Sequence, residues 1–223
     1  MTATQHERPS PPGPVPDGPR YPAKRAAIAR AALDLFVRDG YERTSVDNIA
    51  KEAGVSKRTV YSHYADKEQL FLSVTEQTLQ SIMEVINDIA ERELSGPGEI
   101  TDRLARFIRE TAHFTMRLPE RAALIRVILT EAPRFPELLA LWQGRRRLTP
   151  FLERALAESG PDGPLDINDP REAAGHLAAL TFGQINNRTL FGLLELTDGE
   201  LDHIVAGGVD VFVRAYRTQP GLE

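Results

Sequence analysis

The residues with the densest chemistry lie between Lys57 and His63, in the run KRTVYSH. On a helix, Val60 and the following Tyr64 point to one side, while Arg58 and Ser62 point to the other, flanked by Thr59 and Tyr61. A guanidinium can donate two parallel hydrogen bonds to a guanine edge. A threonine offers a hydroxyl and a methyl to thymine. Lys57 sits in the first turn, where its long side chain reaches round to the same surface. Ser45, Tyr61, His63 and Lys67 are placed for phosphates, which position a protein on DNA without specifying sequence. An exposed histidine near lysines is ordinarily plain surface. The place of His63 on the rim of this helix, one residue before a core tyrosine, favours phosphate.

Other constellations compete. Glu110 and His113, and again Glu200 and His203, form Glu-x-x-His pairs. That spacing belongs to carboxylate-bridged di-iron bundles and would make the chain an oxygen-chemistry enzyme. Two features weigh against it. Glu200 lies three residues after Thr197, where a helix capping box accounts for it. The extra buried glutamates of such a site are not evident on other apolar faces. Arg145, Arg146 and Arg147 could hold an anionic effector, although a charge run on a helix is usually a solvated face, and His176 reads as a packed or interface histidine. Gln184, Asn186 and Asn187 are polar in an otherwise apolar stretch and suit a ligand or a second subunit. No Ser-His-Asp order, metal-ligand cluster or glycine-rich phosphate loop stands out, so neither an enzyme nor a cofactor is expected. The chain has no cysteine, which excludes disulfides and thiolate metal sites and fits a reducing cytoplasm.

The elements around Lys57–His63 are legible. Ile28, Ala32, Leu35 and Phe36 recur on one face of a first helix, about Ala23–Asp39. Gly40 follows where a left-handed C-cap is wanted. Thr44 or Ser45 caps a second helix, with Asp47 three residues beyond Thr44 as a capping-box acid. Val46, Ile49, Ala50 and Ala53 form its buried stripe, and Ala50 is small enough for close crossing. Gly54 supplies the turn, Val55 plugs it, and Ser56 caps the helix that bears Arg58. Asp66 caps a fourth helix, with Gln69 at the capping-box position. Two short helices joined by a tight turn, the second polar outside, are the layout of a helix-turn-helix.

Charge supports contact through one end. Net charge is −5, yet residues 1–70 carry 11 Lys and Arg against 9 Asp and Glu, while the remainder carries 16 against 23. A near-neutral head on an acidic body fits DNA at the head alone. Residues 1–22 hold seven prolines and read as a disordered tail. No apolar run approaches a membrane span, and the N-terminus lacks the core of a secretory signal.

The stretch from Ile28 to Thr75 resembles the DNA-binding head of the TetR family of bacterial transcriptional regulators. The likeness rests on ALDLF, GYERTSVDNIAKEAGVSKRTVYSHY and DKEQLF. Carried over by position, it implies base contacts from Lys57, Arg58 and Thr59, and phosphate contacts from Ser45, Tyr61, His63 and Lys67. The later stretch PERAALIRVILTEAPRFPELLALW resembles the AefR-like subtype of C-terminal domain.

Beyond the head the periodicity predicts helices throughout, about nine in all, giving an all-α chain. The domains would be a tail at 1–22, a helix-turn-helix domain at 23–68 with its motif at 45–64, and a regulatory and dimerisation body at 69–218. The body helices run from Lys67 into the nineties, from Ile100 to Leu118, over Glu120–Glu131 and over Pro136–Ser159. Two more cover Pro170–Phe191 and Asp198–Arg217. The resemblance implies that the last two (170–191 and 198–217) pair with their copies in a homodimer. It also implies that the middle helices enclose a small-molecule pocket. Phe107, Phe114, Trp142, Phe151, Phe182 and Gln184 are its candidate lining. The expected function is a cytoplasmic repressor that binds a palindromic operator and is released by an effector, with the fourth helix carrying the signal.

Overall fold

The computed structural model describes residues 20–145, 148–158, 164–190 and 192–218, with side chains left undescribed at 20–22, 119–122 and 141–145. Most of the expected tail and the side chain of Trp142 therefore lie outside the described residues, as do Arg146 and Arg147. The head is built from α1 (Arg20–Asp39), α2 (Val46–Glu52) and α3 (Lys57–His63). Helix α1 begins three residues before its expected start, taking Pro22 into its first turn. A proline there sacrifices no hydrogen bond, because first-turn N–H groups have no helical acceptor.

The turn glycines behave as their positions require. Gly40 (φ 81°) and Gly54 (φ 64°) are both left-handed, a region open to glycine at little steric cost. Ser45, not Thr44, caps α2, accepting from the Asn48 amide. Thr44 is buried instead, donating its hydroxyl toward Leu35 and Gly40 carbonyls at 3.1 and 2.8 Å.

The long α4 (Lys67–Leu94) follows, about 42 Å at the standard rise. It belongs to two apolar cores. Its first half gives Leu70, Phe71, Val74 and Leu79 to the head core, and its second half gives Ile86, Ile89, Ala90 and Leu94 to the body core. The body continues with α5 (Ile100–Met116), α6 (Pro119–Glu131), α7 (Pro136–Arg145), α8 (Thr149–Glu158), α9 (Pro170–Ala178), α10 (Gln184–Arg188) and α11 (Asp198–Tyr216). The single helix expected over Pro136–Ser159 is thus two.

A π turn, Ala179–Gly183, joins α9 to α10. Just behind it lies Gly208 of α11, where a Cβ would stand 2.5 Å from the Leu180 carbonyl oxygen. Among the described residues there is no strand beyond one isolated bridge, Leu165 to Arg217, and no helix is long and apolar enough to cross a membrane.

Candidate nucleic-acid interface

Helix α3 is held by its buried Val60 and by caps at both ends. The Ser56 hydroxyl accepts from the Thr59 amide, and the Tyr64 amide reaches the Val60 carbonyl at 3.0 Å. Val60 and Tyr64 sink into the head core. The remaining side chains are thereby turned outward. Arg58, Tyr61 and Ser62 are exposed, and among the described residues Arg58 carries no hydrogen bond or ion pair. Thr59 shares a 2.8 Å hydroxyl bond with Ser56. Ser62 donates to the Thr59 carbonyl at 2.7 Å, which leaves its oxygen free to accept.

Three expected contacts sit differently from the simple picture. Lys57 turns back across the turn to Asp47 at 2.9 Å, and that hydrogen bond raises its pKa. Asp47 is thus an ion-pair partner, not a capping acid. The exposed pair can exchange for a contact to DNA without leaving a buried charge behind. Lys67 is drawn inward. Its ammonium donates to the Tyr41 and Thr44 carbonyls at 2.9 and 3.1 Å and lies 4.1 Å from the Tyr41 ring centroid. Burial lowers its pKa. Two of its three protons are thus committed to the α1–α2 connection. His63 is half-buried, and burial followed by the nearby Arg25 and Lys24 charges pushes its imidazole below the usual histidine range. Ser45 stays exposed at the start of α2. Asp66 caps α4 through the Gln69 amide at 2.7 Å, but the Gln69 side chain accepts from Ala65, one residue outside the expected box.

The head is locked to the body by an element that sequence reasoning missed. Phe135, in the short connection between α6 and α7, is buried with its ring 4.8 Å from Tyr41 and 5.7 Å from Phe71. The neighbouring Arg134 stacks 5.1 Å over the Tyr41 ring and pairs with Glu42. The only signal for this wedge is an aromatic residue between prolines, in APRFP, where a solvated loop would be polar.

The body forms a partly open cavity of about 310 Å³ between α4, α5, α6, the start of α8, the π turn and α10. Phe182 lines it, and the other candidates separate. Phe107 is fully buried in the body core, 6.1 Å from the Phe151 ring, so both are packing residues. Phe114 borders a different surface groove. Gln184 is exposed and turned away, whereas Asn186 reaches the cavity. Thr115 and Thr149 also line it and were missed, because a threonine within a helix most often only bonds its own backbone.

The Glu-x-x-His pairs do not converge. Glu110 is paired with Arg92, and Glu200 closes a capping box with Thr197. His113 is bracketed by Asp198 and Asp202 at 3.3 and 3.0 Å, while His203 is exposed. Among the described residues no group of three or more such side chains is arranged to hold a metal ion, and the di-iron reading is set aside on this geometry.

Residues 95–218 match the family profile described as the C-terminal domain of the AefR-like transcriptional repressor, and residues 28–74 match that of bacterial regulatory proteins of the tetR family. The chain belongs to the TetR family. It is a DNA-binding transcriptional regulator and not an enzyme. Similar solved structures include a TetR-family regulator from Mesorhizobium loti, with a TM-score of 0.80 and 28% identity over 90% of this chain and 100% of that one. Another is the flavonoid-responsive regulator FrrA, with a TM-score of 0.70 and 29% identity over 89% of this chain and 100% of that one. Among curated relatives, the HTH-type regulator YezE of Bacillus subtilis is 26% identical over 65% of this chain and 74% of its own length. AcrR of Shigella flexneri is 29% identical, but the match spans 56% of each chain.

Proposed function

We propose that the protein is a cytoplasmic repressor that binds a palindromic operator as a homodimer and is released by a small molecule lodged in the body cavity. The reading divides the chain into a head, 23–68, and a regulatory body, 69–218. The observation that carries it is the outer face of α3. Its core side is buried, its ends are capped, and Arg58, Tyr61 and Ser62 stand clear of it. Lys57, Arg58 and Thr59 then read base edges. Ser62 stands on the same face as Arg58. Ser45, Tyr61 and His63 hold phosphates, and Lys67 lends its third proton to a phosphate while stiffening the turn.

Dimerisation is supported by the outer surface of α9–α10 and α11. Gly175 is exposed on one rod and Gly207 and Val211 on the other, while Ala179 and Gly183 are exposed at the rim of the cavity, so two copies can approach closely along α9 and α11. One recognition helix reads only a few base pairs, and two on a palindrome multiply affinity and specificity. Release by an effector is supported by the shared walls of cavity and head core. Leu79 of α4 and Leu124 of α6 belong to both. The name of FrrA, flavonoid-responsive, is in keeping with a small organic effector.

The test is a footprint on the DNA flanking the protein's own gene, with sedimentation of the free protein. Two protected half-sites about one helical turn apart, and a dimeric mass, are expected. A monomer at micromolar concentration protecting a single site would overturn the reading.

A further inference from the structure

We infer that the body cavity takes an uncharged, largely apolar molecule carrying one hydroxyl-like group, and that it discriminates against anions. The inference rests on the effector step proposed above and specifies its chemistry. At about 310 Å³ the cavity lies at the small end of ligand sites. It suits one or two fused or linked rings and is too small for a nucleotide or a coenzyme A thioester. Its walls are aliphatic and aromatic, and among the described residues no Asp, Glu, Lys, Arg or His borders it.

Three polar side chains interrupt that lining. Thr115 lines the cavity and donates its hydroxyl to the Ala112 carbonyl at 3.1 Å, which leaves its oxygen able to accept. Asn186 presents an amide that both donates and accepts. Thr149, from the start of α8, is the third. A hydroxyl on the ligand satisfies a donor and an acceptor together, which an ether or a halide does not. Among the described lining residues a carboxylate would find no countercharge to replace the hydration it sheds.

The π turn gives the cavity its fixed wall. It turns Phe182 and Gly183 toward the space already bordered by Ala178, and Gly208 presses on its back. A turn of this kind inside a helix is frequently a mark of a functional site. Met83, on α4, is the adaptable counterpart, since a thioether conforms to and contacts ring systems.

Thr115 also borders a second cavity, which holds Arg117 and Arg126. A ligand with an anionic end would need to reach those guanidiniums, and this is the competing outcome.

The experiment compares two fluorescent probes on the full-length protein. N-phenyl-1-naphthylamine is neutral, and 1-anilinonaphthalene-8-sulfonate adds a sulfonate to the same ring system. Saturable binding of one neutral probe per chain is expected, with the sulfonate at least about tenfold weaker. Met83→Trp should abolish the binding by filling the space. Should that variant lose its helical circular dichroism, Ala178→Leu repeats the test. By competition, 4-phenylphenol should bind better than biphenyl, and Asn186→Leu should remove about fivefold of that advantage.

Equal or tighter sulfonate binding that falls with Arg117→Ala or Arg126→Ala would overturn the inference in favour of an amphipathic anion. Neutral-probe binding unchanged by the filled variants would overturn it by placing the probe elsewhere. Operator binding is read separately. Release by an anionic compound alone would refute this ligand class and leave the regulatory reading standing. Neutral binding that never alters operator affinity would refute the effector reading and leave the cavity's chemistry standing.

Discussion

Replacing Lys67 by methionine separates two roles that a lysine at this position can play. The ammonium makes two hydrogen bonds to carbonyls, at 2.9 and 3.1 Å, and sits 4.1 Å from the Tyr41 ring centroid. A hydrogen bond to a charged group contributes about 1.5–3 kcal/mol when its loss leaves the partner unsatisfied. The two bonds share one partly buried cation, so their effects do not simply add, and methionine keeps the stem packing and a sulfur–aromatic contact. The expected loss is about 2–3 kcal/mol. For a chain of this size that is a fall in Tm of about 4–12 °C, read by thermal melts at fixed protein concentration. Lys67→Arg should recover only part of it, since a planar guanidinium does not reproduce the ammonium's two-carbonyl geometry. An unchanged melt, joined to a shallower salt dependence of DNA binding, would refute this account. It would make Lys67 a phosphate contact alone.

Further substitutions test other joints of the structure. Phe135→Ala empties the space between Tyr41 and Phe71 and should destabilise by about 3–5 kcal/mol, measured by denaturant unfolding; a change below about 1 kcal/mol would mean that the wedge does not hold the head. Gly208→Ala would place a methyl 2.5 Å from the Leu180 oxygen and should destabilise by about 1–3 kcal/mol, whereas Gly207→Ala meets nothing within 4 Å in one chain and should weaken only the dimer, read by sedimentation. His63 gives a pH signature. Burial and its cationic neighbours depress its pKa in the folded head, so its contribution to stability is lost as pH falls through that depressed value and is restored toward its ordinary value, about 6.5. A phosphate beside the ring would raise the pKa again. DNA binding should then take up a proton and tighten as pH falls through that window, and His63→Gln should flatten the profile measured by anisotropy.

Much of the head was readable because its local rules agree with one another. Glycine at a left-handed position, serine before a helix and apolar residues at threes and fours all specify the same arrangement at Gly54, Ser56 and Val60. The choice between Thr44 and Ser45 as the cap was not readable, because both hydroxyls satisfy the local rule. Only the packing of α1 decides that Thr44 is buried against Leu35 and Gly40. Lys67 shows the same limit, since a charged residue in a first helical turn does not disclose that two carbonyls lie behind it. In the body the periodicity located the helices but not the π turn. One extra residue within a turn barely disturbs an apolar pattern, and the residue packed against its back, Gly208, is 25 or more residues away in the chain. The cavity was the least legible feature. Aromatic residues such as Phe107 and Phe151 filled the core instead, and small or hydroxylated ones, Ala178 and Thr115, left the space.

The central claim is that α3 reads DNA sequence through Arg58. Its most direct test is the ratio of specific to non-specific affinity for the wild type and Arg58→Ala, measured at one salt concentration on the protected operator and on a scrambled duplex. Loss of one bidentate base contact in each half-site predicts a fall of about 1–3 kcal/mol per half-site, about 2–6 kcal/mol on the whole operator, with specificity relaxed at one position of each half-site and affinity for the scrambled duplex little changed. An Arg58→Ala protein that kept its full preference for the operator would contradict the account.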